Sequence, residues 1–439
     1  MASMTEINTP HPPVVRRVRA SSAQEGRWRG SAFDVVNRVY RLRGPLDAAA
    51  LHAAFADVTE RHESLRCSLS EDGELFLRVH TDVPPPLTTI DAQGETVPER
   101  EAWLHTWLTA ETTRPFDRET PPLMRATLVR MGPDDHVLAI VLDHIISDGW
   151  SVEVLAGELG NRYQAALGAE VPALDELFQY PDWVVEERAV RTEERLAART
   201  DFWRDKLPEG PGDVAVWLSG YRDAGDAEPE TTGLLETVLD KDLTEGLRRT
   251  ARRLRVTLNV LTATVLIRLL QRDTGQERIT LSTSSASRFS PDTASMIGYL
   301  ATTIWIPSTL RGATDLPAAA RGFQQDMHEV MAKADVPARH VFERLWGLSA
   351  RSQMDALPQV GFLCTPFWGE ALDLPGIDVA AEEFDDREAD GTLSVYLTDR
   401  GSHIELQVRF FQETLVDGYA ERLLAEYLAD LSAAVAEHG

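Results

Sequence analysis

The stretch Val137-Leu138-Ala139-Ile140-Val141-Leu142-Asp143-His144-Ile145-Ile146-Ser147-Asp148-Gly149-Trp150-Ser151 constrains the chain more than any other. Its opening apolar run, Val137 to Leu142, is too short for a helix and is bounded by polar residues, so it predicts a strand buried on both faces. The run stops at an imidazole, His144, and a carboxylate, Asp148, with three residues between them and Gly149 giving close backbone access. An amphipathic stretch from Val152 to Tyr163 follows, and a strand end that leads into a helix is a common place for a site.

Length and charge limit what that cluster serves. A chain of 439 residues, 43% hydrophobic and 26% charged, is too large for one core and suits two lobes of roughly 200 residues each. No apolar run approaches the ~18 residues of a membrane span, and the start Met1-Ala2-Ser3-Met4-Thr5-Glu6 lacks the order of a signal peptide, so a cytoplasmic protein without a membrane partner is expected. The two cysteines, Cys67 and Cys364, stand in no CxxC pair and beside no histidine; they read as core fillers in a reducing compartment. A net charge of −26 argues against nucleic acid as a partner, because phosphate binding needs a basic face.

In chain order, Val39 to Arg43 alternates as a strand, Gly44-Pro45 turns, and Asp47 N-caps a helix carrying Leu51, Phe55 and Val58. Strands begin at Leu69 and run through Leu75 to Val79; a helix spans Glu101 to Glu111, and Met124 to Arg130 is a further strand. A charged helical region from Tyr180 to Trp203 is broken at Leu207 to Gly212. Beyond it come a strand from Thr232 to Leu239, a helix after Asp242, and a strongly apolar helix, Leu258 to Leu270, capped by Thr257 and ended by Gly275. Strands are then predicted at Arg278 to Thr283, delivering Arg288, and from Ile297 to Ile306, stopped by Pro307. A hairpin, Leu393 to Leu397 with Ile404 to Phe410, precedes a last helix carrying Tyr419, Leu423, Tyr427 and Leu431. The fold class is thus α/β (α+β), with an N-terminal lobe at 14–185, a helical linker at 186–212 and a C-terminal lobe at 213–439.

These residues carry a resemblance. His144-Ile145-Ile146-Ser147-Asp148-Gly149 resembles the HHxxxDG core of the condensation domains of non-ribosomal peptide synthetases. Ser22-Ala23-Gln24 with Arg27-Trp28 is similar to that family's SxAQxRLW, Arg61-His62-Glu63-Ser64-Leu65-Arg66 to its RHExLRT, and Tyr180-Pro181-Asp182-Trp183 to its YxDYAxW. Asp273-Thr274-Gly275-Gln276-Glu277 followed by Arg288 resembles YTGQED…GR, and Ile297-Gly298-Tyr299-Leu300-Ala301-Thr302-Thr303 resembles IGFFVNT. The resemblance implies two chloramphenicol-acetyltransferase-like lobes in a V-shaped pseudo-dimer with a tunnel between them. It implies an acyltransferase of natural-product (antibiotic) biosynthesis that joins a carrier-bound acyl thioester to an amine or hydroxyl acceptor. The partners implied are peptidyl or acyl carrier proteins whose phosphopantetheine arms bring the substrates; the domain itself binds no cofactor or metal and is expected to be a monomer.

By position, His144 matches the family's second histidine, beside the attacking nitrogen, and forms with Gly149 and Asp143 the expected catalytic set. Asp148 is implied to pair with Arg288 and hold the loop, while Ser151, Thr302 and Trp305 are expected along the substrate tunnel. Two positions depart from the pattern. Asp143 replaces the first histidine and, as the neighbour of His144 on a strand, should face the opposite way, into the lobe, where a buried carboxylate needs donors. Thr302 stands where the family has asparagine. Asp143, Asp148 and Ser151 also spell DxxxxDxxS, the signature of heterocyclisation domains, and relatives with altered cores serve as docking platforms for tailoring enzymes. Both readings stand as alternatives to condensation.

Overall fold

The computed structural model describes residues 12–28, 35–172, 175–223, 231–288, 290–334, 336, 338–347, 357–366, 371–382 and 391–439. Through residue 190 the chain runs β1 (Val14–Arg19), α1 (Ser22–Trp28), β2 (Val35–Arg43), α2 (Ala48–Arg61), β3 (Cys67–Asp72), β4 (Glu74–His80), β5 (Leu87–Asp91), α3 (Val97–Thr112), β6 (Met124–Gly132), β7 (Asp135–Asp143), α4 (Gly149–Ala166) and α5 (Tyr180–Val190). It continues with α6 (Glu193–Lys206), β8 (Thr232–Leu239), α7 (Lys241–Leu254), α8 (Leu258–Thr274), β9 (Ile279–Ser285), α9 (Pro291–Ala294), β10 (Thr302–Ser308), α10 (Leu316–Met331), α11 (Ala338–Trp346), β11 (Val360–Pro366), β12 (Asp378–Glu382), β13 (Leu393–Asp399), β14 (Ile404–Phe411) and α12 (Tyr419–His438).

The chain divides into two compact units. The first takes residues up to Val190 and two later returns, Ala286–Ala301 and Trp368–Asp386; the second takes Arg191–Ser285, Thr302–Phe367 and Arg387–Gly439. The segment 186–212, expected as a linker, is divided between the units, 186–190 falling in the first and 191–212 in the second, and the two returns have no signal in the sequence.

In the first unit β7 is the middle of a five-stranded sheet of order β12-β2-β7-β6-β5, antiparallel to both β2 and β6. Leu138, Ile140 and Leu142 point into a core with Leu51, Phe55, Leu155 and Leu159 from α2 and α4. Val137 and Ala139, on the other face, pack with Leu104 and Leu108 of α3. All six apolar residues of the run are therefore buried, each large one stabilising the unit by roughly 1.5–3 kcal/mol. Asp47 caps α2 as expected, accepting from the Ala49 and Ala50 amides at 2.9 and 3.0 Å. Helix α3 begins four residues earlier than the apolar pattern suggests, because Thr96 and Glu99 close a capping box ahead of it. The second return lays Leu372 and Leu374 on α4, where a Cβ on Gly160 would come within 2.7 Å of the Asp373 carbonyl, and adds β12 antiparallel to β2.

The second unit is built on a six-stranded sheet of order β10-β9-β11-β13-β14-β8, with its own core centred on α8. Thr257 caps α8 and Gly275, at φ 71°, ends it. Among the described residues no single helix is long and apolar enough to cross a membrane.

One strand differs from expectation. The segment Ile297 to Ile306 is strand only from Thr302, and the strand runs through Pro307 to Ser308. Pro307 is tolerated because β10 is an edge strand among the described residues, with a ladder partner there on one side. Residues 297–301 stay out of the sheet, and the amides of Gly298, Leu300 and Ala301 go instead to side chains of Ser151 and Asp148.

Candidate active site

Strand β7 ends at Asp143 and α4 starts at Gly149, so residues 144–148 form a short loop between two rigid elements of the first unit. Two buried ion pairs hold it. Arg288 reaches Asp148 with both terminal nitrogens, Nη1 to Oδ2 at 2.8 Å and Nη2 to Oδ1 at 2.9 Å, and the side chains are only 3% and 1% exposed. Asp148 also caps α4 by accepting from the Ser151 amide at 2.9 Å, and accepts from the Leu300 and Ala301 amides at 3.1 and 3.0 Å. Through those last two bonds a carboxylate takes amide protons that a neighbouring strand would otherwise take.

Asp143, counted above with the catalytic set, does not share a surface with His144. Its carboxylate is fully buried, gripped by Arg118 Nε at 2.7 Å and Nη2 at 3.2 Å, and accepts from the Ile145 amide at 2.8 Å. Strand alternation turns it to the α3 side of the sheet, and its lone pairs are spent on holding the loop. Arg118 also donates to the Arg27 carbonyl at 3.2 Å, and Gln24 Nε2 of α1 donates to the Ile145 carbonyl at 2.9 Å, so the opening motif is a brace for the loop. With Asp143 and Asp148 on separate arginines, the two carboxylates and His144 do not converge on one centre for a cation.

Between the pairs stands His144, partly accessible to solvent. Its Nδ1 lies 2.7 Å from the Ser147 carbonyl, which can only accept; the neutral ring therefore carries its proton on Nδ1 and keeps a lone pair on Nε2. Burial pushes the imidazole pKa down to about 4, the nearby Arg27 guanidinium pushes the same way, and the backbone bond and Asp148 only partly oppose them. At neutral pH the ring is uncharged. Tyr299 meets it edge-on, with ring centroids 5.0 Å apart.

Gly149 occupies the first helical position with an ordinary φ, so what it contributes is the lack of a side chain beside the loop. Ser151, expected along a tunnel, is fully buried instead: its hydroxyl lies 2.7 Å from Asp148, 2.9 Å from the Gly298 carbonyl and 3.1 Å from the Gly298 amide, and presents nothing to a substrate. Thr302 and Trp305 belong to the second unit and, three residues apart on β10, point to opposite faces of the strand. Trp305 donates to Gln359 Oε1 at 2.9 Å and packs edge-on against Phe342.

The remaining motifs are scaffolding. His62 and Arg61 share the buried Glu158. The Tyr180 hydroxyl reaches the Tyr299 carbonyl at 3.2 Å, and its ring fills the space a Cβ on Gly298 would enter, at 2.2 Å. In the second unit Asp273 accepts from Ser219, Tyr419 and Arg422. Sequence reasoning missed Arg118 as a partner of the loop; the demand for a donor beside a buried Asp143 was visible, its identity was not.

A family model described as "Condensation domain" matches residues 15–400. A linear gramicidin synthase of Brevibacillus parabrevis is 28% identical over 390 residues, 87% of this chain and 5% of that protein. Malpinin synthetase of Mortierella alpina is 27% identical over 435 residues, 93% of this chain and again 5% of that protein. The chain thus spans a small part of the length of these relatives. Among solved structures, the first condensation domain of the calcium-dependent antibiotic synthetase, bound to a substrate analogue, superposes with a TM-score of 0.78 at 18% identity, covering 96% of this chain and 97% of that one. The X-domain complexed with OxyB from teicoplanin biosynthesis gives 0.78 at 22% identity, covering 97% and 95%.

Proposed function

The chain belongs to the condensation-domain family of non-ribosomal peptide synthetases, and on that premise we propose that it joins a carrier-bound acyl thioester to an amine acceptor. The acceptor nitrogen attacks the thioester carbonyl, a C–N bond forms, the C–S bond breaks, and the phosphopantetheine thiolate takes the proton the nitrogen gives up. The observation that carries the reading is the state of His144: neutral, its Nδ1 committed to Ser147, its Nε2 free to accept a hydrogen bond from the acceptor.

The chemistry favours an amine. A base whose conjugate acid has a pKa of about 4 is too weak to strip an alcohol. An α-amine, with a pKa of about 8, is already partly unprotonated near neutrality and needs orientation more than deprotonation. Once it has added to the carbonyl its N–H becomes acidic enough for a weak base to take. Donor and acceptor carriers are the partners that fit this reaction, meeting the domain through weak, transient contacts, with phosphopantetheine belonging to them.

A second reading, a docking platform without chemistry, draws on Asp143 in place of the first histidine and on the likeness to an X-domain. The heterocyclisation reading gains nothing, since Asp143, Asp148 and Ser151 are all buried and bonded within the first unit. The deciding experiment loads a carrier with candidate acyl groups, offers amine and alcohol acceptors, and follows product mass for the native chain and His144→Ala. Amide from the native chain, lost in the variant, supports the proposal. Ester alone, lost in the variant, would make the imidazole a true base, and no product from any pair would favour docking.

A further inference from the structure

We infer that Arg27 and Tyr299 are positioning residues for His144, a fixed cation–aromatic clamp that holds the imidazole in one orientation with Nε2 presented. This deepens, and rests on, the proposed role of Nε2 toward the acceptor. The clamp is read from geometry. Arg27 Nη2 donates to the Tyr299 hydroxyl at 3.0 Å and its guanidinium lies over the same ring, 4.6 Å from the centroid. The Tyr299 ring in turn stands at 71° to the imidazole, at 5.0 Å. Arginine, phenol and imidazole thus form one file.

Both ends of the file are tied to the loop that bears His144. On the tyrosine side, the Tyr299 carbonyl accepts from Tyr180, the Gly298 amide and carbonyl meet Ser151, and the next two amides donate to Asp148. On the arginine side, the Arg27 carbonyl accepts from Arg118, the partner of Asp143, and Gln24 of the same helix holds the Ile145 carbonyl. A ring so anchored restricts rotation of the imidazole it meets edge-on.

Among the described residues, the charged groups around His144 are Arg27 from α1, Asp148 at the cap of α4 with its partner Arg288, and Asp143 at the end of β7 with its partner Arg118. Arg27 bears on the ring as a positive neighbour, and a positive neighbour opposes protonation.

The test is an imidazole titration by NMR in 13C-histidine-labelled protein, with His144→Ala assigning the resonance. In the native chain His144 should stay neutral, as the Nδ1–H tautomer, down to about pH 4. Arg27→Gln should move the midpoint up by half a pH unit or more, and Tyr299→Phe, which keeps the ring and removes the hydroxyl that the arginine binds, should move it the same way by less. Tyr299→Leu should lower the 13C order parameter of the imidazole as the ring gains freedom, with the fold intact by circular dichroism. An unmoved midpoint in Arg27→Gln, or a Tyr299→Leu order parameter equal to the native one, overturns the inference. None of these readouts needs turnover, so absence of condensation activity would count against the proposed function and leave the clamp to be judged alone.

Discussion

Replacing Asp148 by alanine should cost the first unit about 3–5 kcal/mol, and the structure says why the figure is large. The carboxylate is 1% exposed and receives both terminal nitrogens of Arg288, itself 3% exposed, so truncation leaves a guanidinium buried without a counter-charge. The same change removes the cap on the Ser151 amide, worth roughly 0.5–2 kcal/mol, and strips the acceptor from the Leu300 and Ala301 amides. These losses share one group and do not add, but the stranded charge alone exceeds the cap. Asp148→Asn separates them: it keeps an acceptor oxygen in place, loses the charge, and should lie between wild type and alanine. Urea unfolding followed by tryptophan fluorescence, with the soluble fraction on expression as a second measure, reads the order. Were alanine to cost under about 1 kcal/mol, or asparagine to match wild type, the idea that this ion pair holds the loop would fail.

Three other outcomes follow from the same geometry. Gly298→Ala pushes a methyl into the Tyr180 ring at 2.2 Å and should destabilise by about 1–3 kcal/mol, partly relieved by Tyr180→Leu; an unchanged urea midpoint would mean that the ring moves freely. Asp143→His, which restores the family's first histidine, should destabilise because it strands Arg118, and Arg118→Met in the same chain should recover part of the loss in a double-mutant cycle. The folded His144 pKa of about 4 lies below the ~6.5 of an unfolded histidine, so the unfolded chain binds more protons between those values. The contribution of His144 to stability is therefore complete above about pH 6.5 and is lost as pH falls toward 4, and His144→Gln should lose less stability than wild type on acidification; equal slopes would refute it.

Local physics made much of this readable in advance. The run Val137–Leu142 has no polar residue to give either face to water, so burial on both sides followed, and Asp47, Thr257 and Gly275 marked helix ends because side-chain caps and left-handed glycines act within a few residues. What stayed hidden depends on partners far along the chain. Residues 297–301 have the apolar pattern of a strand, yet amides among them go to Asp148, whose place in the chain is 152 and 153 positions earlier, and no local signal announces that. Arg118 for Asp143, Arg27 for Tyr299, and β12 as an edge strand beside β2 are of the same kind. His144 was found from its setting, but its proton placement needed the Ser147 carbonyl, which only coordinates supply.

The late returns of the chain to the first unit bear on how it is born. A ribosome that has released residues 1–190 has delivered Asp148 but not Arg288, and β2 but not β12. Until the later segments emerge, the nascent unit carries a lone anion at its centre and an unpaired sheet edge, the kind of surface that chaperones shield. Synthesis from one end to the other thus cannot complete the first unit before residues 286–301 and β12 have been made.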